Sequence, residues 1–270
     1  MSDAQQQELA IFKDNSIIPD GLLSSKSKTL ITYVQGTSPG WLISALVENL
    51  LFNTFILAHK PGTQKFSNIK SRSKVLLVSF SQDYKFYDKF FRKINVSNSN
   101  HNFKFLDLLT STMYDDGEGD EILKKIETTI EKEFRNDYSD LNVIIENPEY
   151  LLHTTPLTTN MLLIFLNKLH LNYANNLIVI SSSDKNLLDF HAQEESSIEF
   201  KHTEFLTKFL FRSNLIMNIK PLDTGRANDV TGLLSINKGL VGYQTDEIEI
   251  VEKEYLFFVA KEGNVRLFFR

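Results

Sequence analysis

Two apolar periods alternate along the first two thirds of the chain. Lys28 to Tyr33 is a short β-rich run, followed by the turn-forming Gly36-Thr37-Ser38-Pro39-Gly40. From Trp41 the period becomes helical, with Leu42, Leu46, Val47, Leu50 and Leu51 on one stripe. Lys74 to Phe80 is a bare apolar run of the kind a strand shows when both its faces are covered. Asp83 to Ile94 then spaces Tyr84, Tyr87, Phe90, Phe91 and Ile94 as an amphipathic helix. Phe103 to Leu106 predicts a strand, Met113 to Asp120 a polar loop, and Glu121 to Phe134 a helix with Ile122, Ile126 and Ile130 four apart. A strand over Leu141 to Glu146, a helix from Thr158 to Leu171 and a strand over Leu177 to Ser181 complete the alternation. Strands alternating with helices of this length predict right-handed crossovers and a mostly parallel sheet with helices on both faces.

The last third changes character. After a helix over Glu199 to Phe211 come Leu215 to Lys220, Gly232 to Ile236, Glu247 to Val251, Tyr255 to Val259 and Val265 to Phe269. These alternating runs, with turn residues such as Glu262-Gly263-Asn264 between them, predict C-terminal antiparallel hairpins. The expectation is one α/β domain over residues 1–270. Residues 1–25 form an N-terminal extension that packs on a neighbour or on the sheet.

Composition narrows the classes. The chain has 270 residues, 42% of them hydrophobic, including 21 Phe and 9 Tyr, which excludes disorder of the whole chain. With no cysteine, thiolate metal sites and a cysteine nucleophile are excluded. The first seven residues are polar, without the basic-then-apolar pattern of a leader, and no apolar run is long enough to cross a bilayer. An intracellular protein without a membrane role is expected. The formal charge of −5 disfavours autonomous nucleic-acid binding, although a local basic patch within an assembly stays open.

In an open parallel sheet, ligands sit where strands end and helices begin. The first such turn holds Gly36, Pro39, Gly40, Trp41 and Leu42. A phosphate-binding P-loop needs Lys and then Ser or Thr after its last glycine. With Gly40 as that glycine, Trp41 and Leu42 occupy those positions; with Gly36 opening the motif, Leu42 and Ile43 do. Pro39 also removes an N–H donor. A nucleotide site and a retained turn whose chemistry has gone both remain open, and Trp41 suits an anchor for a partner surface. Glu146, closing an apolar strand, has the look of a Walker-B acid; without the P-loop residues it is expected as a structural carboxylate, capping or pairing at an interface. Glu149 is a candidate cap for the following helix. The six histidines form no ligand motif, and His170 on its amphipathic helix is expected solvated or hydrogen-bonded. The acidic run from Asp115 to Glu121 lacks the EF-hand glycine. No metal, cofactor or catalytic residue is expected. Arg226, in the polar loop Pro221 to Gly232, is either an arginine finger or phosphate contact across an interface, or a solvated loop residue.

Several stretches carry a resemblance in order along the whole chain: LAIFKDNSIIP (Leu9 to Pro19), the turn without lysine, VIIENPEYLL (Val143 to Leu152), IKPLDTGRANDVTG (Ile219 to Gly232) and the ending VEKEYLFF…RLFFR. Together they resemble the fungal Elongator subunit 6 family. The resemblance implies a RecA-like fold without a working nucleotide site. It also implies a heterohexameric ring with Elongator subunits 4 and 5, two copies of each. That ring is accessory to the catalytic core subunits that modify wobble uridines (U34) of tRNA. It further implies tRNA binding by the ring, modulated by ATP, and a location in the cytoplasm and the nucleus. On this view Trp41 and the Arg226 loop are the complementary interface sides, and Lys220, Arg226 and Lys238 are candidate tRNA contacts. The rivals are an autonomous RecA-like ATPase or kinase using Glu146 as its acid, and a recombinase-like DNA binder.

Overall fold

The computed structural model describes the chain except residues 1–5, 59–70, 98–99, 113–118, 135–136, 192–193, 226, 244–247 and 270. Most of the expected loop at Met113 to Asp120, with Asp115, Asp116 and Glu118, therefore lies outside the described residues. The elements run α1 (Asp20–Leu23), β1 (Ser27–Tyr33), α2 (Gly40–Phe52), β2 (Lys74–Ser79), α3 (Tyr84–Phe91), β3 (Phe103–Asp107) and α4 (Leu109–Thr112). They continue with α5 (Gly119–Phe134), β4 (Leu141–Glu146), α6 (Tyr150–Thr154), α7 (Thr159–Asn172), β5 (Asn176–Ser182) and α8 (Ile198–Leu210). The chain closes with β6 (Leu215–Lys220), β7 (Gly232–Lys238), β8 (Lys253–Val259) and β9 (Val265–Phe269).

All nine strands join one sheet in the order β3-β2-β4-β5-β1-β6-β7-β8-β9. β1 to β6 pair in parallel with one another, and β7, β8 and β9 add antiparallel. β4 and β5 are buried along their whole length, as strands covered on both faces must be. β6 alternates buried and half-buried positions. It had been expected within the antiparallel hairpins; instead it extends the parallel set beside β1 and turns antiparallel only toward β7. Of the strand expected over Glu247 to Val251, Glu247 lies outside the described residues, and residues 248–251 show a single bridge between Ile250 and Phe12.

One face of the sheet carries α5, α7 and α8; the other carries α2, α3 and the N-terminal segment. α2 departs from the expected amphipathic stripe. Twelve of its thirteen residues are buried, and a helix apolar around its circumference belongs inside a core. The cause is tertiary. β8 reaches Trp41 through Phe257, α3 covers Gly40 with Phe86, and β9 meets the short turn Ile56–Ala58 beyond the helix end. The sheet and α3 together enclose α2.

The N-terminal segment also packs here. Leu9, Ile11, Phe12, Ile17 and Ile18 are buried, Gln7 bridges Leu267 of β9, and the Tyr255 hydroxyl donates to the Ala10 carbonyl at 3.1 Å. Among the described residues no helix is long and apolar enough to cross a membrane.

Candidate functional site

The parallel strands deliver β1, β2, β4, β5 and β6 to one edge with their carboxyl ends together, the edge where open α/β sheets place ligands. The β1–α2 turn opens it. Gly36 sits at φ +93°, a left-handed conformation that suits glycine and that any Cβ would strain. Thr37 closes the turn: its N–H and hydroxyl both donate to the Val34 carbonyl, at 3.1 and 2.8 Å. Pro39 is already helical and its carbonyl accepts from the Ile43 N–H at 2.9 Å, so the proline takes a first-turn place where no donor is needed. The Gly40 N–H donates to the Ser38 hydroxyl at 3.3 Å. A Cβ on Gly40 would lie 2.7 Å from the Phe86 ring, which therefore occupies the space over the helix start.

Trp41 and Leu42 point inward. Trp41 is 1% exposed, its ring 5.1 Å from that of Phe257, and Leu42 is fully buried. The expectation of Trp41 as a surface anchor needs correcting in this respect: the indole is a core side chain, because β8 folds over α2. Its Nε1 is buried without a hydrogen-bond partner among the described residues.

Glu146, at the end of β4, is 2% exposed, so it neither caps a helix nor faces an interface in this chain. The Ser79 hydroxyl at the end of β2 donates to it at 2.5 Å. Burial raises its pKa, the hydrogen bond from Ser79 offsets part of that, and the charge of Glu149 adds to the rise. Asn147 follows at φ +54° and knits the strand ends together. Its side-chain oxygen accepts from the hydroxyls of Tyr33 and Ser81, each at 3.0 Å, and its amide donates to Glu149 at 2.9 Å. Glu149 is not the side-chain cap expected of it. Its Oε1 also accepts from the Ser182 N–H at 3.1 Å, while its Oε2 is buried without a partner. Burial, then the nearby Glu149 charge, pushes the Tyr33 hydroxyl pKa up.

A histidine pair borders this cluster. His202 is fully buried and its Nε2 donates to the Ser182 carbonyl at 2.8 Å. Its Nδ1 faces the His153 Nε2 at 3.3 Å. Burial, then the neighbouring His202, lowers the His153 pKa to about 4. Among the described residues no group of three or more His, Asp or Glu is placed to hold a metal ion. Sequence reading missed Tyr33, Asn147 and the histidine pair, which lie far apart in the chain. The Asn147-Pro148 dipeptide after a buried strand was the one local signal, as such pairs start turns.

No family model matches the chain. The chain is similar to Elongator complex protein 6 of Saccharomyces cerevisiae, with 30% identity over 280 aligned residues spanning all of both proteins. The chain belongs to the Elongator complex protein 6 family. Among solved structures it is similar to a KaiC-like protein from the archaeon Pyrococcus horikoshii, with a TM-score of 0.51 and 10% identity. That likeness covers 98% of this chain and 99% of the other, and it shows the fold: RecA-like, with a mostly parallel sheet and antiparallel C-terminal strands.

The basic residues singled out in this Elongator complex protein 6 family member do not gather at one place. Lys220 ends β6 at the same edge as the β1–α2 turn, half-exposed and 3.9 Å from Asp223. Lys238 pairs in register with Leu215, the first residue of β6, so it lies at the opposite end of the hairpin, 3.9 Å from Glu249. Arg226 lies outside the described residues. His170, expected solvated or hydrogen-bonded, is 7% exposed, and burial followed by the charges of Lys28 and Lys26 lowers its pKa to about 4.

Proposed function

We propose that this chain is a non-catalytic RecA-like subunit of the Elongator complex. It forms a heterohexameric ring with Elongator subunits 4 and 5, two copies of each. The ring binds tRNA and supports the modification of wobble uridines by the catalytic core subunits, in the cytoplasm and the nucleus. The observation that carries this reading is the β1–α2 turn of an Elongator 6 family member. Trp41 and Leu42 stand where a phosphate-binding lysine and a magnesium-holding hydroxyl belong, and both are turned into the core. A buried indole cannot neutralise a triphosphate. At β4 the acid is equally withdrawn: Glu146 is buried with a raised pKa, which favours the neutral form over a metal-holding carboxylate.

Surface composition supports a subunit role. Six of the nine large hydrophobics exposed among the described residues lie on α7, on α8 or its C-terminal cap, or in the loop leading into α8: Met161, Ile164, Leu171, Phe190, Ile198 and Phe211. Exposed apolar side chains concentrated on one pair of helices are consistent with a protein-binding surface on that side of the sheet. The proposed phosphate contacts on the ring are Lys220, Arg226 and Lys238, each contributing modestly and in a salt-dependent way.

Two measurements test the assignment. Co-expression with subunits 4 and 5, read by native mass spectrometry, gives a 2:2:2 assembly; a chain that stays monomeric overturns it. The rival ATPase or kinase would be stabilised by magnesium-ATP, by about 2.7 kcal/mol at a hundredfold excess over Kd. No rise in melting temperature is expected for the isolated chain, and a rise with turnover would establish the rival.

A further inference from the structure

A second feature of the same sheet edge concerns charge. The chain as a whole is acidic at −5, yet Tyr84 to Lys93 contains four basic residues and one acidic residue. These are Lys85, Lys89, Arg92 and Lys93, on α3 and the turn that follows it. The apolar face of α3, with Tyr87, Phe90 and Phe91, is buried, so the basic residues are turned to the opposite side. Lys85, Lys89 and Arg92 are exposed and Lys93 is half-buried. The β8–β9 turn packs against this helix: a Cβ on Gly263 would lie 3.3 Å from the Phe90 ring and 3.9 Å from Lys89, and Lys93 donates to the side chain of Asn264. That contact brings the exposed Lys261 to the same rim.

Among the described residues, Lys85, Lys89 and Lys261 form no ion pair, whereas Lys220 and Lys238 each lie 3.9 Å from a carboxylate. Arg92 pairs with Asp88 at 2.7 Å, one turn earlier on the same helix. Lys85 and Lys89 are one helical turn apart, and Lys93 continues the spacing, each step advancing about 6 Å. This row therefore extends over a length comparable with several successive phosphates of a nucleic-acid strand.

We infer that α3 and the β8–β9 turn form a phosphate-binding face for RNA, with Lys85, Lys89 and Lys261 as its contacts. The inference rests on the tRNA-binding reading above and gives it a location. RNA backbone suits this face better than an acidic protein surface does. None of the exposed large hydrophobics lies on α3 or in the β8–β9 turn, and protein interfaces are depleted in lysine and built around buried aromatic anchors. The Lys89 ammonium lies over the Phe90 ring, 4.7 Å from its centroid, and lysine heads outside ion pairs neutralise phosphates as point charges that need no shape match. The face adjoins the β1–α2 turn through Phe86 and Gly40 and shares the sheet edge with Lys220, so one RNA strand can follow that edge from α3 toward β6.

The test uses the assembled ring and an unmodified tRNA transcript, with binding followed by fluorescence anisotropy over a salt series. The triple variant Lys85→Gln, Lys89→Gln, Lys261→Gln removes three charges from exposed positions, so its melting temperature and ring assembly serve as internal controls. A rise in Kd of about tenfold or more is expected near physiological salt, and the slope of log K against log salt falls in magnitude by about 2 to 3, since each phosphate contact contributes roughly 0.7–0.9. Unchanged affinity and slope in a ring that binds tRNA overturn the location and leave the functional reading intact. A wild-type ring that binds no tRNA overturns both. Displacement of tRNA by polyglutamate of matched charge, at equal concentration and only in the wild type, assigns the face to acidic protein and overturns the RNA inference.

Discussion

Replacing Trp41 with Ala should damage folding before it damages assembly. The side chain is 1% exposed and packs its ring at a tilt against Phe257, joining the start of α2 to β8. Truncating a buried tryptophan costs about 3–5 kcal/mol, the lost transfer free energy plus the cavity left behind. Against a total stability of about 5–15 kcal/mol, that is a substantial share. Unfolding entropy of roughly 2.1 cal/mol/K per residue, taken over 270 residues, converts the loss to a fall in melting temperature of about 5–9 °C. Trp41→Phe is the informative companion. It keeps most of the apolar contact and discards the buried Nε1, which has no partner; removing an unsatisfied donor recovers part of what the smaller ring loses. A cost of about 1 kcal/mol is expected. Far-UV circular dichroism during urea unfolding measures both variants, since the chain has one tryptophan and its fluorescence disappears in each. Native mass spectrometry of the co-expressed complex supplies the comparison. Trp41→Ala that costs less than about 1 kcal/mol in the isolated chain yet abolishes assembly would refute the core placement and restore an interface role.

Two further outcomes follow from the same edge. Gly40→Ala should destabilise the chain by about 1–2 kcal/mol, because its Cβ would meet the Phe86 ring at 2.7 Å; Phe86→Ala in the same chain should relieve most of that, and additive costs in a double-mutant cycle would count against the contact. Acidification should weaken the fold between about pH 6.5 and 4. His153 and His170 titrate near 4 when folded, so over that window the unfolded chain binds more protons and stability rises with pH. Glu146, with its raised pKa, acts in the opposite sense above pH 4.5. His153→Gln should therefore flatten the rise, and an unchanged slope in urea unfolding across that range would contradict the burial assigned to this imidazole.

Much of the architecture could be read along the chain because parallel strands buried on both faces must be apolar without interruption. Lys74 to Phe80, Leu141 to Glu146 and Leu177 to Ser181 show that property and became β2, β4 and β5, three adjacent strands inside the sheet. That Trp41 and Leu42 follow Gly40 was likewise plain from residue identity alone. Tertiary structure decided the rest. The helical run from Trp41 looked like a one-sided stripe, but which sides of a helix are covered depends on what reaches it, and here β8 and α3 close around α2. Glu247 to Val251 alternates like a strand, yet a strand requires a neighbour in register, and among the described residues of this run Ile250 makes an isolated bridge to Phe12. Tyr33, Ser79, Glu146, Asn147, Glu149 and Ser182 meet because several crossovers bring their strand ends to one edge, and no local pattern encodes that meeting. Lys220 and Lys238 look adjacent in the sequence, but antiparallel register sets them at opposite ends of one hairpin. Residue chemistry thus determined which segments had to be buried and which residues stand in the first strand-to-helix turn, while chain topology chose which distant side chains share a site.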